Sequence, residues 1–237
     1  MNQLDQLEQW DDEPNRAVEF LDVDTRAEFI TKTYLHLSGA IAGFVALIYV
    51  FMQNTASVEF LMQWPIVMIG GFLVGGWLAS SLAHRVESLP LQYLCLAGYT
   101  ALEAFLFTPL IYIALRYTGD GAGVLTGAAV TTLFAFAGLT MIAFTTRKDF
   151  SFLGGLLRFV GLCAIVAIVG GLIFGYTLGL WFTVAMIVFA GAAILYDTSN
   201  IIHHYPKDRY VAASLQLFSS VTLLFWYVLR LFIASDD

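Results

Sequence analysis

The chain has 237 residues, of which 59% are hydrophobic and 12% charged, and its mean hydropathy is +0.78. Such usage excludes an ordinary soluble domain and marks an integral membrane protein. The net charge of -7 describes one end more than the whole, because nine of the eighteen acidic residues precede residue 29.

Residues 1–28 are acidic and poor in aliphatic runs, and Pro14 interrupts any long helix. They read as a solvated tail whose later part forms at most a short helix before the membrane. The boundary is expected at residue 32, with a transmembrane domain over 33–237. A cleavable signal peptide begins with a basic region and an apolar core, the reverse of this order, so the first span is expected to stay.

Seven apolar runs follow, at about 34–52, 65–84, 90–115, 122–144, 152–174, 179–202 and 212–234. Each is near the roughly 20 residues that cross a bilayer. The expected fold is therefore an all-α integral membrane bundle of seven transmembrane helices. Alternating ten-residue segments are missing, which argues against a strand barrel. Gly70, Gly71, Gly75 and Gly76 in the second run, and Gly170, Gly171 and Gly175 in the fifth, allow close helix approach. Pro109, late in the third run, is expected to kink or loosen that helix. Cys95 and Cys163 lie mid-run and read as small hydrophobes.

Lysine and arginine give the orientation. One side collects Arg16, Arg26, Lys32, Arg85, Arg147, Lys148, Lys207 and Arg209, with Arg158 just inside the fifth run, while Arg116 alone marks the loops of the other side. The positive-inside rule puts the N-terminus in the cytoplasm and, with an odd number of spans, Asp236 and Asp237 outside. Arg230, in the last run, must snorkel or pair internally. A bacterial inner membrane is the expected location.

The stretch AGAAILYDTSNIIHHYPKDRY, residues 190–210, carries an apolar helix into an acid, a polar cluster and two histidines. Asp197 closes a charge-free run, and Asn200 and His204 follow it on roughly the same helical face. Ionisable groups in spans are functional candidates; the plainer reading is a polar cap ending the sixth helix. Glu103 lies near the middle of the third run, with Tyr99 and Thr100 one turn before it. It is either a protonated acid hydrogen-bonded between helices or part of a proton or cation relay. A carboxylate at Asp197 that accepts bonds from Ser220 or Arg85 can latch helices and release them on protonation, with His203 and His204 as further pH-sensing groups. The adjacent histidines have no partner at ligand spacing, so no metal is expected. No phosphate loop, GxSxG or HExxH occurs, and Ser219 and Ser220 have no evident base, so neither an enzyme, a cofactor site nor nucleic-acid binding is expected.

Three segments carry a family resemblance: TTRKDFSFLGGLL at 145–157, ILYDTSNII at 194–202, and the closing LRLFIASDD. They resemble the Bax inhibitor family (transmembrane Bax inhibitor motif). The first two are similar in particular to its bacterial YccA-type branch, modulators of the FtsH membrane protease. The resemblance implies a seven-helix fold with the last helix central or partly embedded. In the family's calcium-leak members two aspartates on the last two helices share a proton and gate a pore with pH. The first maps onto Asp197; the second, counted back from Arg230, falls on Ser220, so this chain departs there. The family's latch arginine matches Arg85 only loosely, and Glu103 is a candidate second acid if the third helix packs beside the sixth. Two functions follow as expectations: a pH-responsive cation (calcium) leak or exchanger switched at Asp197, or a partner of an FtsH-type membrane protease held through the acidic tail.

Overall fold

The computed structural model describes residues 17–85 and 88–236; the acidic segment up to Arg16 lies outside the described residues. Among the described residues eight α-helices follow in order: α1 Val23–Met52, α2 Thr55–Gln63, α3 Pro65–Arg85, α4 Leu89–Tyr117, α5 Gly121–Thr146, α6 Leu153–Phe174, α7 Gly179–His203 and α8 Tyr210–Asp236. Six of them, α1 and α4 to α8, are long and apolar enough to cross a membrane. The 21-residue α3 is the seventh long helix, with a shorter apolar stretch, Ile66–Trp77, among its described residues. Helices suit such sequences because hydrocarbon offers backbone groups no partner outside the segment.

Local chemistry sets the ends. The Asp22 carboxylate caps α1, accepting from the backbone N–H of Asp24 and Thr25 at 3.0 and 2.9 Å. Asp120 caps α5 through Gly123 N–H at 3.0 Å, and Gly175, at φ +74°, closes α6 in the left-handed conformation that glycine adopts freely. Pro109 does not break α4, which runs on to Tyr117.

Three features depart from the sequence expectations. α1 starts at Val23, about three turns before the apolar run near residue 34, and continues through residues 32 and 33 unbroken. The short α2 occupies what reads as a loop between the first two runs. The segment from residue 17 is also no free tail. Val18 is fully buried and donates its N–H to the Tyr205 carbonyl at 2.9 Å, and Ala17 bridges to Pro206.

α8 is the axis of the bundle. It packs against α1, α3, α4, α5 and α7, and its aromatic side chains mesh with theirs: Phe218 lies edge-on to Phe44 and Tyr99, and Trp226 edge-on to Phe72 and Phe107, with centroids 4.9 to 6.1 Å apart. The central last helix implied by the resemblance is thus present. Gly71 and Gly75 bring α3 onto Leu106 and Leu102 of α4, as their spacing leads one to expect. α6 is peripheral, resting chiefly on α7 and turning Leu156, Phe159, Leu162 and Val166 outward. Cys95 and Cys163 are free thiols on different helices.

Candidate functional site

Asp197 belongs to an α7 stripe, Ala190, Ile194, Asp197 and Ile201, whose spacing of three and four residues forms one face of a helix. All four are buried, Asp197 to 2% exposure. That face meets α8, where Gln216 and Ser220 sit one turn apart. The Ser220 hydroxyl donates a short hydrogen bond to Asp197 Oδ2, and the Gln216 side chain bonds the same carboxyl. Among the described residues these neutral donors are the groups that compensate Asp197. Ser220, reached by counting back from Arg230, is the α8 hydroxyl that bonds Asp197. Gln216 escaped the sequence reading, although its position four residues before Ser220 put it on the same face.

These groups form the floor of a cavity of about 700 Å3 at the end of the bundle where α7 stops and α8 begins. Asn200, Tyr196, His204, Tyr205 and, from α6, Arg158 also line it. Burial pushes the Tyr205 phenol well above its ordinary value, so it enters the site as a neutral group.

Glu103 is 3% exposed and hydrogen-bonded by Tyr99 one turn earlier on α4. The Tyr99 hydroxyl also meets Ser219 Oγ on α8 at 2.9 Å. α8 thus stands between the two acids, touching Asp197 through Ser220 and the Glu103 pair through Ser219. The third and sixth runs do not form one of the closely packed helix pairs, and Glu103 and Asp197 line different cavities. Glu103 lines a separate cavity of about 400 Å3, reaching to Arg230 and Leu178 at the opposite end. Phe189, Ser219 and Leu223 belong to the walls of both cavities.

The histidines are tied to neighbours. His203 Nδ1 meets Glu19 Oε2 at 2.9 Å, fastening the N-terminal segment, and His204 Nε2 meets Asp149 Oδ2 at 3.1 Å. Backbone donation from Ser151, with His204 adding to it, holds the Asp149 carboxyl below the usual range. Ser199 accepts from the Phe150 N–H at 2.8 Å, fixing the turn between α5 and α6 onto α7. Arg85 closes α3, and its side chain lies outside the described set. Among the described residues no three His, Cys, Asp or Glu side chains gather as a metal site.

The family model described as "Inhibitor of apoptosis-promoting Bax1" matches residues 26–237. An uncharacterized protein of Pseudomonas aeruginosa is 29% identical over 197 residues, 82% of this chain and 88% of that protein. Bax inhibitor 1 of Schizosaccharomyces pombe is 29% identical over 214 residues, 87% of this chain and 76% of its own length. The modulator of FtsH protease YccA of Escherichia coli is 26% identical over 183 residues, 76% of this chain and 82% of its own. A family match that reaches into all seven long helices leaves one assignment: the chain is a multi-pass membrane protein of the Bax inhibitor family.

Proposed function

We propose that this protein is a proton-controlled cation leak or exchanger, with calcium the candidate ion, that acts by conduction and not by catalysis. One observation carries the reading. Two cavities enter the bundle from opposite ends, Asp197 facing one and Glu103 the other, and they meet at a shared wall of Phe189, Ser219 and Leu223. A carboxylate at the floor of a cavity concentrates cations there, and its protonation removes that attraction. The groups facing Asp197 are Tyr196, His204, Tyr205, Gln216, Ser220 and, across the cavity, Arg158. By the positive-inside rule the end gathering Arg26, Lys32, Arg147, Lys148, Lys207 and Arg209 is cytoplasmic, in a bacterial inner membrane, with the C-terminus outside.

Calcium flux into liposomes holding the purified protein tests this, across the physiological switching range of about pH 5 to pH 8. We expect a pH-dependent flux that Asp197→Asn makes pH-independent and Glu103→Gln reduces. Flux no greater than in empty liposomes at any pH, from folded protein, would set conduction aside.

The likeness to the FtsH modulator supports a second reading, in which the protein partners an FtsH-type membrane protease. The acidic residues up to Arg16 precede buried Val18 in the chain and would be the handle for the protease. Removing residues 1–28 would also remove the Asp22 cap and buried Val18, so the deletion that asks this question cleanly is of residues 1–16. Loss of protease co-purification is expected; unchanged co-purification would rule the handle out.

A further inference from the structure

The second cavity has a shape and a charge that ion conduction does not require. Its volume of about 400 Å3 lies among those of small-molecule pockets, about 300–1,000 Å3. Phe72, Phe107, Met186, Phe189 and Trp226 make it apolar, and the edge-on contacts of Trp226 with Phe72 and Phe107, at 5.0 and 4.9 Å, fix one wall. α3 lines it with Met68, Phe72 and Gly76 and α6 with Gly161, Ala164 and Ile168, so the slot lies between these two helices.

Its polar groups lie at its two ends. At the deep end the Glu103 carboxyl is bonded to Tyr99, which is bonded in turn to Ser219. At the mouth stands Arg230, exposed, less than two turns before the end of α8. Among the described residues no carboxylate forms an ion pair with it. From Ser219 to Arg230 the helix rises about 16 Å. A guanidinium this close to hydrocarbon is stabilised by an oxyanion that accepts its forked donors.

We propose that this slot binds a single-chain anionic amphiphile, a long-chain fatty carboxylate, with its head on Arg230 and its alkyl chain running between α3 and α6 against Trp226 and Phe107. The inference stands on the slot alone and does not depend on ion conduction.

Trp226 supplies the probe. In full-length protein with Trp10, Trp64, Trp77 and Trp181 changed to Phe, the fluorescence of Trp226 is followed while a brominated stearate is added in zwitterionic nanodiscs. Saturable quenching is expected. Its half-saturation should rise about tenfold in Arg230→Gln, the loss of one charge-assisted pair, and return toward the original value in Arg230→Lys. Gly161→Phe, which fills the slot from α6, should remove the saturable phase while leaving thermal unfolding in place; if that variant fails to fold, the Arg230 variants decide. Quenching that never saturates, that is equal with and without the Arg230 guanidinium, or that is as strong with a brominated monoacylglycerol or alkylamine would overturn the proposal.

Discussion

Ser220 donates its hydroxyl proton to Asp197 in an interior where the two are 5% and 2% exposed. Deleting one partner of a buried hydrogen bond leaves the other unsatisfied, at a cost of about 1–3 kcal/mol. Ser220→Ala is expected to lower thermal stability by that order. Ser220→Asp asks a different question, because two carboxylates in contact titrate as a pair in two macroscopic steps, whereas one carboxylate facing a serine titrates in one. The pH profile of flux, or of intrinsic fluorescence, should change from one step to two. A single step in both proteins would show that position 220 does not share the charge of Asp197. Asp197 was legible in the sequence because a charge at the end of an apolar run stands out. The bonds that complete its surroundings were not: Ser199 to Phe150 and His203 to Glu19 join residues 49 and 184 apart, and no periodicity encodes such a pairing.

α6 is a peripheral helix that borders both cavities. It lines one with Arg158 and the other with Gly161 and Ala164, yet it rests chiefly on α7. The contact at its start is tight: a Cβ added at Gly154 would lie 2.9 Å from the Tyr196 ring, whereas one at Gly155 would meet nothing within 4 Å. Gly154→Val should therefore cost about 1–3 kcal/mol through overpacking, and Gly155→Val should leave the unfolding temperature in detergent unchanged. Equal behaviour of the two variants would mean that Tyr196 swings aside at no cost and that α6 is not seated there. Hydropathy located this helix but not its peripheral place, since a run apolar on every side fits lipid and protein equally well. It also missed the first turns of α1, where Asp24, Arg26, Glu28 and Lys32 interrupt the apolar pattern of a helix capped by Asp22. The short α2 went unseen because its nine residues are too few to show a membrane-length run.

At the scale of the whole molecule, hydropathy divides the chain at residue 32, but the folded unit extends at least to residue 17. Val18 is buried against the core and bonded to Tyr205, Glu19 is paired with His203, and Asp22 caps α1. The segment thereby straps the start of α1 to the connection between α7 and α8, beside the cavity that holds Asp197. Burying a valine side chain is worth about 1.5–3 kcal/mol, so Val18→Asp should destabilise the protein measurably. The Asp22 cap adds a pH dependence with a definite sign. Its bonds with Thr25 hold the carboxyl below the usual range, so the stabilisation is complete above the ordinary aspartate value and disappears only as the pH falls through the lowered one. Limited proteolysis near neutral pH reads the strap directly: cleavage should stop short of Val18 in the native protein and move into residues 17–22 in Val18→Asp. If both proteins were cut at the same positions, the segment would be held by its backbone bonds alone.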